Sequence, residues 1–245
     1  AFGLPAVQKL RWGGYDGRGV VVLGRDAGEE ALLPGPSLLE AFVPVSTELA
    51  VLVARSPSGR TAVYPPFELD VDPGLNLVRS VAYPARVSMG VAADAEAAAR
   101  GAVEAIGGTG LHAVELFVDR DGRVLVNEVA PRPHNSGHLT IEAAETDQFE
   151  QHLRAVLDLP LGSTRMRAPA VMRNIVGTGP EGPTEYRGLV DALSVEGCHL
   201  HLYGKDVCRA GRKMGHITVC AEDRKRAADL AEKAWSLLEA RGAAR

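Results

Sequence analysis

Between Val124 and His138 the chain reads VLVNEVAPRPHNSGH. This stretch crowds Asn127, Glu128, Arg132, His134, Asn135, Ser136 and His138 together, with Pro131 and Pro133 stiffening the path between them. Upstream, AVELFV supplies a second acid, Glu115. If Glu115 and Glu128 sit on adjacent strands, their carboxylates can share a divalent cation. Asn127 would add a neutral carbonyl to a set of hard oxygen ligands that suits magnesium held jointly with nucleotide phosphates. Two glutamates on a hairpin are common on solvated faces, and the hairpin alone leaves that reading open beside metal binding.

A second group lies near the start, in KLRWGGYDGRG. Gly13, Gly14, Gly17 and Gly19 free backbone amides to approach an anion, and Lys9 and Arg18 can neutralise phosphate, with Tyr15 and Asp16 between them. The pattern matches neither GxxxxGK(S/T) nor a GxGxxG that opens a helix, so a hairpin turn without a ligand also fits. Glu40, Phe42 and Val43, followed by Glu48, give a segment with acids at both ends that could hydrogen-bond an adenine amino group and ribose hydroxyls. A basic turn near the end carries Lys205, Arg209, Arg212 and Lys213, and such a turn is usually a solvated hairpin.

The elements that must hold these residues are partly legible. Alternation predicts strands at Ala6 to Leu10, Gly19 to Leu23, Ser37 to Val43, Glu48 to Arg55 and Thr61 to Tyr64, the last after a Pro57-Ser58-Gly59 turn. Alanine, valine and isoleucine spacing predicts a helix over Ala92 to Ile106, stopped by Gly107-Gly108. Ala113 to Val118 and Arg123 to Val129, joined by Asp119-Arg120-Asp121-Gly122, predict the hairpin that carries both glutamates. Further helices are expected at Gln148 to Leu157 and Arg224 to Glu239, with small strands between. Ser136 and His138 could cap a helix beginning near Ile141.

The 245 residues are enough for a sizeable core in one large or two small domains. A net charge of -4 and a pI near 6.0 offer no positive excess to drive general nucleic-acid or membrane-surface binding. No apolar run is long enough to span a bilayer. Cys198, Cys208 and Cys220 are odd in number and lack metal-type spacing, which reads as reduced thiols in a cytoplasmic protein.

In this order the segments LPAVQKLRWGGYDGRG, EAFVPVSTELAVLVAR, AVELFV, NEVAPRPHNSGHLTIEAAETDQFEQHLRAVLDLPLG and HLYGKDVCRAGRKMGH resemble the ATP-grasp family and, within it, the 5-(carboxyamino)imidazole ribonucleotide synthases. The NEVAPRPHNSGH segment is specific to that branch. The resemblance implies an α+β ATP-grasp fold over residues 1–160, incomplete at its N-terminus, followed by a small β-rich domain with a terminal helix over 161–245. It implies that ATP, bicarbonate and 5-aminoimidazole ribonucleotide give the N-carboxylated ribonucleotide, ADP and phosphate through carboxyphosphate, with Mg2+ on Glu115, Glu128 and Asn127. Arg132, His134, Asn135 and Lys213 would act on bicarbonate and carboxyphosphate. Ser136, Lys205, Arg209 and Arg212 would bind substrate. The glycine loop with Lys9, and the segment with Glu40, Phe42, Val43 and Glu48, would bind ATP.

The same resemblance implies a homodimer and an additional N-terminal α/β domain, together with a first ATP-grasp subdomain, both ahead of this sequence; a separate N-terminal segment could supply them. Another carboxylase-type ligase of the family, such as a formate-dependent transformylase or a biotin carboxylase, is a second reading that the HNSGH segment disfavours. A non-catalytic nucleotide-binding subunit is a third. The chain departs from the family's pattern at Val20, at Ala210 and in Tyr64 to Asp72, where relatives carry a histidine.

Overall fold

The computed structural model describes residues 3–13, 19–72 and 77–243. A small antiparallel sheet comes first, formed by β1 (Ala6–Leu10), β2 (Val20–Leu23) and β3 (Ser37–Ala41) in the order β2-β1-β3. Its inner face holds Ala6 and the buried Gln8, whose carboxamide exchanges hydrogen bonds with the backbone of Leu33 at 2.8 and 2.9 Å. The register sets Lys9 against Leu38 and diagonal to Glu40, and the Lys9 ammonium meets the Glu40 carboxylate at 2.8 Å.

The large sheet opens with β4 (Val45–Arg55), β5 (Thr61–Val63), β6 (Phe67–Asp72) and β7 (Leu77–Tyr83). Helix α1 (Met89–Ile106) follows, then β8 (Gly110–Asp119) and β9 (Val124–Ala130). In β4 the series Leu49, Val51, Val53 packs under α1 with Val114, Leu116 and Val118 of β8. The alternate series Ala50, Leu52, Ala54 packs on the other face with Leu111 and Ala113. Burial on both faces explains the nearly unbroken apolar run of β4, and each fully buried Leu or Val contributes about 1.5–3 kcal/mol. Helix α1 starts at Ser88, whose hydroxyl accepts from the Val91 amide at 3.2 Å, and stops at Gly107, where φ is 71°.

The second face is covered by α2 (Thr140–Ala143) and α3 (Gln148–Val156), with Leu139, Ala143 and Ala155 in its core. The chain then adds β10 (Ala170–Thr178), β11 (Gly182–Arg187), α4 (Leu189–Leu193), β12 (Cys198–Leu202), β13 (Val207–Cys208), β14 (Lys213–Cys220), α5 (Arg224–Ser236) and β15 (Glu239–Gly242). Because β10 pairs with β7 on one side and β14 on the other, one twelve-stranded sheet runs from the β8–β9 hairpin into the C-terminal strands.

Three details differ from the sequence-based expectation. Strands β6 and β7 are additional: FELDVD carries three acids, and the ion pairs of Glu68 with Arg86 and Arg224, and of Asp70 with Arg79, hold the outward ones. The last helix stops at Ser236 rather than Glu239, because Glu239–Gly242 pairs with β11 and β10. Helix α2 is a single turn with Leu139 at its N-cap and no side-chain cap, so neither Ser136 nor His138 caps it.

Candidate active site

The β8–β9 turn is fixed by Asp119, which accepts from the Asp121 and Arg123 amides at 2.9 and 3.0 Å, and by Gly122 at a φ of 79°. This sets Glu115 directly opposite Glu128. One step on, Leu116 pairs with Val126, so Asn127 is the extra residue of a β-bulge beside the two acids. On β4, Ala50 pairs with Glu115, and Glu48 lies two residues away on the same face. Three adjacent strands therefore present three carboxylates to one side. Burial, and next the negative charges of Glu128 and Glu48, push the Glu115 carboxyl up to about 7, while Lys213 pulls it down. Burial also raises Glu48.

The small sheet reaches this hairpin through Lys9, whose Nζ donates to Asn127 Oδ1 at 2.8 Å as well as pairing with Glu40. Phe42 is exposed and Val43 half-buried just beyond β3. Gly13 and Gly19 take positive φ angles of 78° and 76°. Gly14, Tyr15, Asp16, Gly17 and Arg18 lie outside the described residues.

After β9 the proline turn brings His134 back to the acids: its Nδ1 lies 3.8 Å from Glu115 Oε1 and 2.9 Å from the Ser136 hydroxyl. Ser136 is fully buried, so its hydroxyl serves His134. The Asn135 carboxamide exchanges two hydrogen bonds with that of Asn174 on β10, at 2.8 and 2.7 Å, and Asn174 also donates to the Val78 carbonyl. Arg132 is exposed and donates to the Pro133 carbonyl at 3.1 Å. From the C-terminal strands, Lys213 bears electrostatically on both Glu115 and His138. Lys205 lies over the Tyr203 ring at 5.4 Å, with its Nζ 2.5 Å from the Lys213 carbonyl. Arg209 and Arg212 occupy the turn after β13, where Arg212 donates to the Val207 carbonyl.

Behind this turn stands a group in which His138, read from the sequence as a possible helix cap, meets two histidines that the sequence reading left without a role. His138 stacks on His216 with ring centres 4.6 Å apart, and His216 stacks on His201 at 4.5 Å. Phe149 covers the other side of His138, and the Tyr203 hydroxyl lies 3.0 Å from His216 Nδ1. Glu142 Oε1 lies 2.6 Å from His201 Nε2. Burial, then the neighbouring charges, holds His138 down at about 4 and His216 down at about 2, so these two rings are neutral. The alternation in HLHLY, which puts His201 and Tyr203 on one face of β12 and its continuation, was the available signal.

Among the described residues no group of three or more His, Cys, Asp or Glu side chains is arranged as a metal cage. The acids nevertheless suit magnesium, which keeps few protein ligands and takes its remaining oxygens from water and substrate phosphates. The raised Glu115 marks negative charge that a cation would offset.

The small sheet joined through Lys9 to a large sheet with acids on adjacent strands belongs to a chain whose sequence and fold match known proteins. The family model for the ATP-grasp domain matches residues 1–149, more than half of the sequence, and the chain belongs to the ATP-grasp family. Residues 170–230 match the phosphoribosylaminoimidazole carboxylase C-terminal domain, which places its relatives among the N5-carboxyaminoimidazole ribonucleotide synthases. It is 42% identical to the synthase of Bacillus subtilis over 219 residues, covering 88% of this chain and 56% of that protein. The N5-carboxyaminoimidazole ribonucleotide synthetase of Thermotoga maritima superposes with a TM-score of 0.89 at 44% identity, over 99% of this chain and 64% of that one. The synthase of Aspergillus clavatus, solved with ADP and 5-aminoimidazole ribonucleotide, gives a TM-score of 0.84 at 34% identity, over 96% of this chain and 62% of that one. The chain spans about half the length of the curated relatives it matches.

Proposed function

We propose that this chain carries the phosphoryl-transfer and carboxylation site of an N5-carboxyaminoimidazole ribonucleotide synthase acting in the cytoplasm. The observation that carries the reading is the convergence of Glu48, Glu115 and Glu128 on one sheet face with His134 and Lys213 beside them. Magnesium on Glu115, Glu128 and Asn127 would supply charge neutralisation at the transferring phosphoryl group. Lys9, anchored on Asn127, carries its cation from the small sheet to the same place.

In the proposed reaction a bicarbonate oxygen attacks the γ-phosphorus of ATP, and ADP departs, leaving carboxyphosphate. The exocyclic amine of 5-aminoimidazole ribonucleotide then attacks the carboxyl carbon, the bond to the phosphate oxygen breaks, and the amine loses a proton. Arg132 offers a planar fork to the oxyanion, and His134, oriented by Ser136, can take up the released proton. Lys205 and Lys213 neutralise phosphate on the C-terminal side. The free cysteines Cys198, Cys208 and Cys220 suit a reducing compartment, and among the described residues no helix is long and apolar enough to cross a membrane. We place the functional division near residue 160, supported by family matches that end at 149 and resume at 170.

The test is phosphate release from ATP, measured with and without bicarbonate and 5-aminoimidazole ribonucleotide. Release that requires both supports the reading. Nucleotide binding with no release under any combination overturns it in favour of a non-catalytic subunit.

A further inference from the structure

Gln148 opens α3 directly after its cap, Asp147, whose Oδ1 accepts from the Phe149 and Glu150 amides at 2.7 and 3.1 Å. It is fully buried, and its side chain turns back onto the proline turn. Its Oε1 accepts from the His134 amide at 2.9 Å, and its Nε2 donates to the His134 carbonyl, also at 2.9 Å. A peptide N–H can only donate and a carbonyl can only accept, so the backbone of His134 fixes which end of the carboxamide is which.

The remaining Nε2 hydrogen points at His138 Nδ1, 2.8 Å away. That nitrogen must therefore offer a lone pair, and the ring proton sits on Nε2. The arrangement is held from further sides. The Gln148 amide donates to Thr140 Oγ1 at 3.0 Å, and Thr140 donates to the Gly137 carbonyl at 2.6 Å. A methyl group on Gly137 would strike Gln148 Oε1 and come within 2.8 Å of Leu52 Cδ1. His138 itself is faced by Phe149, Tyr203 and His216, with His201 beyond and the charge of Lys213 nearby. A protonated His138 would set a second positive charge against Lys213.

We propose that Gln148 is a positioning residue: one carboxamide clamps the backbone of His134 so that its ring faces Glu115, and holds His138 as the neutral Nε2–H imidazole. The kinetic part of this inference rests on the function proposed above; the tautomer does not. The experiment is 15N NMR of the imidazoles in the full chain, with Gln148→Glu as the variant, since a carboxylate can accept but cannot donate to the His134 carbonyl or to His138. In the wild type, His138 should show an unprotonated Nδ1 and a protonated Nε2, unchanged on acidification to about pH 5.5. In Gln148→Glu, Nδ1 should gain a proton at neutral pH. Turnover should fall by about tenfold or more with the KM for ATP changed less than about twofold, because the reacting groups and not the nucleotide are displaced.

A wild-type His138 that carries its proton on Nδ1, or that titrates near its ordinary range, overturns the proposal even if the variant fails to fold. So does a folded Gln148→Glu with a wild-type tautomer or wild-type turnover. A wild type with the expected tautomer but no substrate-dependent phosphate release leaves the tautomer standing and refutes the function instead.

Discussion

Two clusters linked by Lys213 handle burial in opposite ways. On β4, β8 and β9, Glu48, Glu115 and Glu128 share one face, and burial, with the repulsion of the other two acids added to it, pushes the Glu115 carboxyl up to about 7. On the proline turn, β12 and β14, His138, His201 and His216 stack ring on ring, and His138 and His216 escape repulsion by staying neutral, at about 4 and 2. The first cluster holds charge that a cation would complete. The second is an aromatic column whose polar edges are used to place the turn. Crowded charge thus marks where a ligand belongs, and stacked neutral rings mark the support behind it.

The largest expected effect breaks the acidic side. Glu128→Gln should lower magnesium-dependent phosphate release by roughly a hundredfold or more, since it removes a charge that acts in the transition state. The fold should survive, because the change relieves repulsion on Glu115, and a thermal melt at or above the wild-type midpoint checks this. Undiminished release would show that the hairpin acids are a solvated face after all.

Breaking the other side should cost stability before activity. His216→Ala empties the middle of the stack and removes the Tyr203 partner, and should destabilise by about 2–4 kcal/mol, as large buried side chains do. Denaturant unfolding measures it. A change below about 0.5 kcal/mol, the range of surface substitutions, would mean that the column is not a packing element.

Acid sharpens the contrast, because the two clusters respond with opposite sign. A histidine held below its ordinary 6.5 protonates first in the unfolded chain, so stability falls as pH drops from that value toward about 4 for His138 and about 2 for His216. Each imidazole contributes a loss of up to about 1.4 kcal/mol per pH unit in that window. Glu115, raised above 4.5, does the reverse: its cost is complete above about 7 and is relieved as pH falls toward 4.5. Unfolding midpoints measured between those limits should therefore steepen toward acid in Glu115→Gln and flatten in His216→Phe.

The smallest effect separates orientation from packing. Ser136→Ala removes one buried hydroxyl from His134 Nδ1 and should cost about 1 kcal/mol or less of stability. It should still lower turnover if the imidazole needs that partner to face Glu115. Unchanged turnover would leave Ser136 with a structural role alone.

What the sequence settled by itself was local. The Asp119 to Gly122 turn dictates the hairpin, and the alternation on either side dictates that Glu115 and Glu128 share a face. The spacing and glycine stop of α1 are likewise carried by neighbouring residues. What only the tertiary structure decided depended on partners far along the chain. The β-bulge that sets Asn127 beside both acids arises from strand register, and Glu48 joins the cluster because β4 pairs with β8. Asn135 and Asn174 are 39 residues apart, and Lys9 and Asn127 are 118 apart. His138, His201 and His216 look like unrelated histidines until β14 lays one ring between the other two. The physical reason is range: turns, caps and period-two burial are set by residues a few positions apart, whereas a buried acid or imidazole takes its charge state from whatever the fold packs against it.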